Sequence, residues 1–145
     1  MVYKVFLDIN ILVDFFVQSR LNHKHAVEIF SLAERKLLKG FTSESVISTT
    51  AWILRKDYPT KQLRNIFAEM LDLFTLLPCN ERICKEALNS NIPDIEDSVL
   101  YHVALDHKMD YFITNDKTDF KNVNQKILSV ITSPQFISLL KGSIS

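Results

Sequence analysis

The sequence predicts an α/β fold, a three-layer α/β/α domain with a central parallel sheet. Short apolar segments rich in β-branched and aromatic residues alternate along the chain with longer segments whose apolar residues recur at helical spacing. The apolar segments are hydrophobic on both faces, as strands are when helices cover both sides of a sheet. The chain has 145 residues, a length that fits one domain, and shows neither an internal repeat nor a linker. We therefore expect a single doubly wound domain over residues 1–145.

Five segments are predicted to be strands. They cover residues 2–7, 41–43, 75–77, 111–114 and 127–131. The first ends abruptly at Asp8, and the fourth is followed by Asn115 and Asp116. Apolar runs of this length that stop at polar residues are typical of buried parallel strands.

Seven segments are predicted to be helices. They cover about residues 10–17, 22–40, 44–56, 60–74, 81–89, 93–107 and the chain from 133 onward. Asn10 and Thr60 are expected to be N-caps, and Gly40 stands where a C-terminal cap belongs. Pro93 and Pro134 suit the first turns of the last two helices.

The charge balance limits the classes of function. Lys and Arg number 17, as do Asp and Glu, which excludes nucleic-acid binding by bulk charge but not a nucleic-acid enzyme with a local basic rim. The apolar stretch over residues 5–17 is interrupted by Asp8, Asn10 and Asp14, so no membrane span is expected. The first residues also lack the pattern of a secretory signal, and we expect a cytoplasmic protein.

Cysteine and histidine do not predict a zinc site. Cys79 and Cys84 do not have C-x-x-C spacing, and we expect both to be small core side chains of a reduced protein. The four histidines form no regular ligand pair with them and are expected at the surface or in hydrogen bonds.

Polar residues, many of them acidic, lie where the predicted strands end or the helices begin. They are Asp8 and Asn10, Ser43 and Glu44, Asp94, Glu96 and Asp97, and Asn115, Asp116 and Asp119. Ligands bind at the carboxyl ends of strands in open parallel sheets, so we expect these side chains to share a site. A set of oxygen ligands without histidine or cysteine favours Mg²⁺ or Mn²⁺.

Each acidic residue also has a structural explanation. Asp94 and Glu96 fit a helix's first turn, where acidic groups complement the helix dipole. Asp97 lies one turn after Asp94 on the same face, which favours a shared role. Asp14 is expected to be a supporting or surface residue. Asp8 is the hardest to explain structurally, because a carboxylate that ends a buried strand needs a partner.

Four segments carry a recognisable pattern. They are VFLDINILVDFF (5–16), SESVISTTAWILRK (43–56), IPDIEDSVLYHVAL (92–105) and YFITNDKTDF (111–120), and the terminal ILSVITSPQFISLL fits the same pattern. In order and spacing they resemble the PIN-domain family of metal-dependent ribonucleases, which includes the toxin of many bacterial toxin–antitoxin pairs. The resemblance spans nearly the whole chain and implies a PIN-like fold.

The resemblance implies roles for particular residues. Asp8, Asp97 and Asp116 match the catalytic metal carboxylates, Asp94 and Asp119 are further metal candidates, and Asn10, Thr49 and Glu96 are supporting residues. The family usually places a glutamate in the helix after the second strand, where Thr49 stands nearest here. Three readings stay open: Asp94 or Glu96 supplies the missing charge, Thr49 holds a metal-bound water, or the site is weakened or inactive.

The function implied by the resemblance is that of a Mg²⁺- or Mn²⁺-dependent endoribonuclease. RNA is the expected substrate, and an antitoxin protein and a second copy of the chain are expected partners. The apolar faces of residues 26–37 and 60–74 serve core packing or those partners. The basic residues either guide RNA or form solvated helix faces; they are Arg35, Lys36, Lys39, Arg55, Lys56, Lys61 and Arg64.

Two alternatives come from other classes. Because Thr49 is neutral, the chain is alternatively a catalytically inactive PIN-like module that binds a partner or RNA. A phosphatase of the haloacid-dehalogenase type also places an aspartate after its first strand. That class needs a second aspartate two residues later, where this chain has Asn10.

Overall fold

The protein is known from a computed structural model that describes the chain from residue 1 to 144 and its side chains through residue 142. Over this range five strands form one parallel sheet in the order β3-β2-β1-β4-β5. They are β1 (Lys4–Leu7), β2 (Lys39–Thr42), β3 (Phe74–Leu76), β4 (Tyr111–Ile113) and β5 (Ser129–Ile131). The chain builds outward from β1 on one side and then returns to add β4 on the other. The strand order therefore reverses between β1 and β4, where open parallel sheets place their ligands.

Seven helices connect or follow the strands over the same range. They are α1 (Ile9–Phe16), α2 (His23–Glu34), α3 (Glu44–Leu54), α4 (Thr60–Leu73), α5 (Glu81–Leu88), α6 (Ile95–Asp106) and α7 (Ser133–Ile144). Helix α1 packs against α2 and α3, α2 also contacts α4 and α7, and α5 packs on α6. The helices flank the sheet, which confirms the predicted three-layer α/β/α fold. No helix among residues 1–144 is long and apolar enough to cross a membrane.

The core lies around the central strand. Val5, Phe6 and Leu7 are fully buried, which explains why their run of sequence has no polar face. The Phe6 ring stacks on Phe112 of β4 at 5.3 Å between centroids. Phe120, in a short 3₁₀ turn after β4, packs on Phe112 at 5.0 Å. The segment that carries the acidic residues after β4 is thus anchored to the core by an aromatic side chain.

The prediction that Gly40 caps α2 is wrong. Helix α2 ends at Glu34, and Lys36 adopts the left-handed conformation with φ 60° that the next turn requires. The Lys36 and Leu37 amides then bond to carbonyls of the last helical turn, which completes a Schellman motif without glycine. Gly40 instead lies in β2, where an added Cβ would overlap the Phe74 ring.

Two predicted N-caps are also wrong. Asp8, not Asn10, caps α1, and its carboxylate accepts the Ile9 N–H at 2.8 Å. Pro59, not Thr60, precedes the first residue of α4. In each case the helix begins at a different residue from the predicted one, because the β1–α1 connection is a single residue and proline already fixes the entry to α4.

Pro93 was predicted in the first turn of α6 but lies just before the cap. The cap is Asp94, whose side chain accepts the Asp97 N–H at 2.8 Å. This bond bears out the structural role expected of Asp94 at a helix start. Pro134 does lie in the first turn of α7, as predicted.

The prediction that both cysteines are core side chains is wrong. Cys79 is exposed and Cys84 is half-buried, and their sulfur atoms lie 3.6 Å apart. They flank the Asn80 cap of α5 at the positions of a hydrophobic staple, which explains their contact. The histidines each accept or donate a hydrogen bond, as expected; they are His23, His25, His102 and His107.

Candidate active site

Asp8 stands at the carboxyl end of the central strand. Its backbone N–H continues the ladder to Ile113 of β4 at 3.1 Å, so its position is fixed by the sheet. The side chain is 4% exposed and accepts hydrogen bonds from Ile9 N at 2.8 Å and from Asn10 Nδ2 at 3.3 Å. A carboxylate is therefore held at the sheet edge, nearly out of water.

Asn10 joins the ends of β1 and β4. Its Nδ2 donates to Thr114 Oγ1 at 2.8 Å, and its Oδ1 accepts the Asn115 N–H at 2.9 Å. Asp8 and Thr114 are thus held together from both strands. This is the placement expected of a residue that supports Asp8.

Three carboxylates come together at the start of α6. Ligand oxygens of Asp94, Asp97 and Asp119 all lie within 4.8 Å of one another. Asp94 is the helix cap, Asp97 lies in the first turn, and Asp119 comes from the 3₁₀ turn after β4. The sequence expectation that distant acidic residues share one region is met for these three.

Electrostatic coupling connects Asp8 to this group. The pKa of Asp97 is raised to about 8, chiefly by burial and in smaller part by the charges of Asp8 and Asp94 and a hydrogen bond with Asp119. The pKa of Asp8 is raised to about 6, chiefly by burial and in smaller part by the charges of Glu96 and Asp116. Each of these carboxyl groups lies in the negative field of the others.

Asp116 lies at the exposed side of the site. Hydrogen bonds from the Thr118 hydroxyl and from its N–H, the latter at 3.1 Å, lower the pKa of Asp116. This carboxylate stays ionised while its charge acts on Asp8. In the described part of the chain, no lysine or arginine forms an ion pair with any site carboxylate. Their repulsion is therefore uncompensated by protein cations.

Thr49 and Glu96 lie on two different helices and are joined by a hydrogen bond. Thr49 Oγ1, on α3, donates to Glu96 Oε2, on α6, at 3.1 Å. Glu96 also acts through its charge on Asp8. Both supporting residues suggested by the resemblance are thus brought to the same side of the acidic site.

The role of Asn115 is missed by sequence reasoning. Its Nδ2 donates to Asp14 at 2.7 Å, and its Oδ1 accepts from the N–H and hydroxyl of Ser133, both at 2.9 Å. Asp14 is 3% exposed and also forms an ion pair with Arg20, so it is a buried supporting residue rather than a surface one. The available signal was the one-turn spacing of Asn10 and Asp14, because both side chains reach Asn115.

Two open grooves border the site. One, of about 630 Å³, is lined by Ser48 and Thr49 of α3 and by Cys79. The other, of about 740 Å³, is lined by Asp116 and by basic and amide side chains, which are Lys117, Lys121, Gln125 and Gln135. The second groove therefore gives open access to one site carboxylate, Asp116.

Three of the seven basic residues singled out from the sequence lie away from the site. Arg35, Lys36 and Lys39 lie at the amino end of β2, at the opposite edge of the parallel sheet from the carboxylates. The Arg55 guanidinium stacks over the Trp52 ring at 3.4 Å. The reading of these residues as solvated faces is the better one.

The fold and the site together define a class of protein: α/β proteins whose parallel sheet gathers carboxylates at the point where the strand order reverses. Within that class, the chain belongs to the PIN domain family, whose sequence model matches residues 4–118. The predicted resemblance is confirmed, and the haloacid-dehalogenase alternative is left without support.

Known proteins similar to this chain include a relative and three solved structures. Ribonuclease VapC1 of Aquifex aeolicus (strain VF5) is 27% identical over 138 residues, which cover 92% of each chain. The chain is also similar to the toxin–antitoxin complex from Klebsiella pneumoniae, with TM-score 0.66 and 17% identity over 89% of this chain and 97% of that one. For Mycobacterium tuberculosis VapC20, a Sarcin-Ricin loop cleaving toxin, the TM-score is 0.64 and the identity 13%, over 80% of this chain and 92% of that one. For Rickettsia felis VapBC2 bound to a DNA fragment from its promoter, the TM-score is 0.61 and the identity 15%, over 89% of this chain and 98% of that one. At these identities the structures show the shared fold.

Proposed function

We propose that this chain is a Mg²⁺- or Mn²⁺-dependent endoribonuclease that hydrolyses phosphodiester bonds of RNA in the cytoplasm. The observation that carries the proposal is the set of carboxylates at the end of β1, at the start of α6 and after β4, which repel one another and, among residues 1–142, form no ion pair with lysine or arginine. Membership in the PIN domain family and the similarity to Ribonuclease VapC1 support RNA as the substrate class.

The donor set fits a hard divalent cation. Asp8, Asp97 and Asp116 are the proposed catalytic ligands, with Asp94 and Asp119 as further ligands, and all of them offer only oxygen atoms. Of the five, Asp94, Asp97 and Asp119 have ligand atoms within 4.8 Å of one another. The raised pKa values of Asp8 and Asp97 mark the negative charge that such an ion would neutralise. When bound, the ion supplies the positive charge that lowers the pKa of a water molecule and stabilises the scissile phosphate.

The protein's own contribution is placement. Asp8 is held by Ile9 N and Asn10, and Asp116 is held by Thr118, so these carboxylates need little reordering. Without a cation the cluster repels the phosphates of RNA. Lys117, which lines the same groove as Asp116, is the proposed contact to the RNA backbone.

The test is cleavage of a fluorescently labelled RNA with Mn²⁺ and with EDTA. Asp97→Asn is expected to abolish Mn²⁺-dependent cleavage, because it removes a carboxylate that contacts two others. The matched control is Asp72→Asn, on the exposed surface of α4, which should cleave like the natural chain. Undiminished cleavage by the Asp97→Asn protein would overturn the site assignment.

The second candidate function is a catalytically inactive binding or regulatory module. It is favoured by the neutral Thr49 on the α3 side of the site. Calorimetric titration with Mn²⁺ separates the two functions. Saturable Mn²⁺ binding supports the nuclease, whereas no heat of binding at millimolar Mn²⁺ together with no cleavage supports the inactive module.

We also propose that the chain is the toxin of a toxin–antitoxin pair and forms a homodimer. An apolar cavity of about 260 Å³ opens between α1, α2 and α4, and its walls include Phe15, Phe30, Tyr58, Ile66 and Met70. A helical antitoxin segment suits such a groove.

Two experiments test these partners. Co-expression with the product of the neighbouring reading frame should give a stable complex with suppressed RNA cleavage. Light scattering of the free protein should give the mass of two chains. Separate elution and unchanged cleavage would contradict the antitoxin, and a monomer mass would contradict the dimer.

A further inference from the structure

We propose that Cys79 and Cys84 form a site of thiol–disulfide exchange that takes a small disulfide such as glutathione disulfide. Cys79 reacts first, and Cys84 then completes a disulfide within the chain. The inference goes beyond the proposed nuclease activity, and none of its tests needs a metal ion or RNA.

The contact between the two thiols is direct. Their sulfur atoms lie 3.6 Å apart, at the positions that flank the Asn80 cap of α5. A disulfide bond needs about 2 Å between its sulfur atoms, so the two sulfurs have to approach by only about 1.5 Å. The chain has two cysteines in all, so no other cysteine of the same chain competes for either thiol.

The backbone holds both cysteines in place. The Asn80 side chain accepts the Ile83 N–H at 2.9 Å, and the Asn80 carbonyl accepts the Cys84 N–H at 3.1 Å. Before the cap, the Leu77 N–H donates to the Thr42 carbonyl of β2 at 2.8 Å. Both thiols are thus carried by fixed turns, and little chain freedom remains to be lost when their sulfurs bond.

The two residues differ in exposure, and this sets the order of reaction. Cys79 is exposed and Cys84 is half-buried, so a molecule as large as glutathione disulfide meets Cys79 first. The pKa of the Cys79 thiol is raised to about 11, chiefly by partial burial of its sulfur and in smaller part by Cys84. The thiolate that attacks is therefore scarce at neutral pH, and the equilibrium of the reaction is more informative than its rate.

The reaction balances in two exchange steps. The Cys79 thiol loses its proton, and the thiolate attacks one sulfur of glutathione disulfide. This forms a mixed disulfide and releases one glutathione thiolate, which takes up a proton. The Cys84 thiol then loses its proton and attacks the Cys79 sulfur, which breaks the mixed disulfide and releases the second glutathione in the same way. The chain loses two electrons and two protons, and the glutathione disulfide gains them.

The position of Cys79 gives the second step a consequence. Cys79 lines the groove of about 630 Å³ together with Ser48 and Thr49 of α3. A glutathione attached to Cys79 would occupy part of this groove, whereas the internal disulfide adds no atoms to it. Cys84 therefore clears the attached thiol from the groove wall.

Mass spectrometry after acid quenching tests both steps on the full chain, equilibrated with glutathione disulfide in large excess over glutathione. The natural chain should lose two hydrogen atoms and retain no glutathione. The Cys84→Ser protein should retain one glutathione, on Cys79, because the second thiol is missing. The control Cys79→Ser/Cys84→Ser should keep its mass. A natural chain that stays reduced, or that retains glutathione as the Cys84→Ser protein does, would overturn the proposal.

A comparison of equilibria separates an exchange site from two thiols that only pack together. The equilibrium constant for forming the internal disulfide with glutathione should be roughly 10–30-fold larger in the folded protein than in the urea-unfolded one, since only the folded chain already holds the sulfurs together. By linkage, the unfolding constant of the oxidised protein should be smaller by the same factor, which urea unfolding of both forms checks. A constant that is no larger in the folded protein would mean that the contact serves packing alone, and the proposal would be overturned.

Discussion

Replacing Asp8 by asparagine should stabilise the metal-free protein at alkaline pH. The Asp8→Asn change removes the charge and nearly preserves the shape of the side chain. The amide oxygen can still accept the Ile9 N–H, which caps α1. The new amide nitrogen, however, faces the Asn10 Nδ2 donor, so that hydrogen bond is lost.

The magnitude follows from the pKa of Asp8, which rises from its ordinary value of 3.8 to about 6 because the group is buried. A raised pKa means that the folded state binds the proton more tightly than the unfolded state. The metal-free protein therefore loses stability as the pH rises from about 4 through about 6. The full loss is about 3 kcal/mol, and it is complete above about pH 7.

The Asp8→Asn protein lacks this loss but also lacks one hydrogen bond, worth about 1 kcal/mol. It should be more stable than the natural chain by about 2 kcal/mol at pH 8, and slightly less stable near pH 4. In a chain of this size, that difference corresponds to a Tm increase of roughly 4–8 °C at pH 8.

Urea unfolding in EDTA, at pH values from 4 to 8, measures the effect. The difference in unfolding free energy between the two proteins should grow with pH over this range. Excess Mn²⁺ should stabilise the natural chain and leave the Asp8→Asn protein nearly unchanged. A difference that stays constant from pH 4 to pH 8 would refute the reasoning, because it would mean that Asp8 does not titrate abnormally.

Three further predictions concern stability and are measured by urea unfolding. Gly40→Ala should destabilise the protein by at least about 2 kcal/mol, because the added Cβ meets the Phe74 ring. Asn115→Ala should destabilise it by about 2–4 kcal/mol, because it strips the buried Asp14 carboxylate of a donor. Thr50→Val should stabilise it by about 1 kcal/mol, because the Thr50 hydroxyl is buried and has no hydrogen-bond partner among the described residues.

Each of these predictions has a contrary result. For Gly40, the control is Gly142→Ala in α7, where an added Cβ meets nothing within 4 Å and should be tolerated; equal effects at both positions would contradict the steric argument. An Asn115→Ala protein as stable as the natural chain would show that Asp14 finds another donor. A Thr50→Val protein that is less stable would show that the hydroxyl has a partner, such as a buried water.

The order of strands and helices was predictable because each depends on a local pattern. The residues of β1 are apolar on both faces since the strand lies at the centre of a covered sheet. The helix ends were less predictable, since a cap depends on backbone conformation. Lys36 adopts a left-handed φ of 60° just after α2, in the conformation for which the sequence analysis expected a glycine.

The candidate site was predictable to the level of which segments meet. Parallel strands bring their carboxyl ends to one edge, so Asp8 and Asp116 were expected to be neighbours. The contacts among side chains were not predictable, because they depend on rotamers and on distant elements. The Asn115 bridge from α1 to α7 and the Thr49–Glu96 bond between helices are two such contacts.

The central place of β1 determines when the acidic cluster can assemble. Asp8, at the end of β1, is made before β2 and β3, whereas β4, which pairs with β1, begins at Tyr111, after both of them. A nascent chain that stops before Tyr111 has β1 without its neighbour β4, and one that stops before Asp119 has Asp97 without one of its carboxylate neighbours. Contacts between such distant residues form late in folding. The proposed metal site would therefore be complete only when synthesis of the sheet is nearly finished.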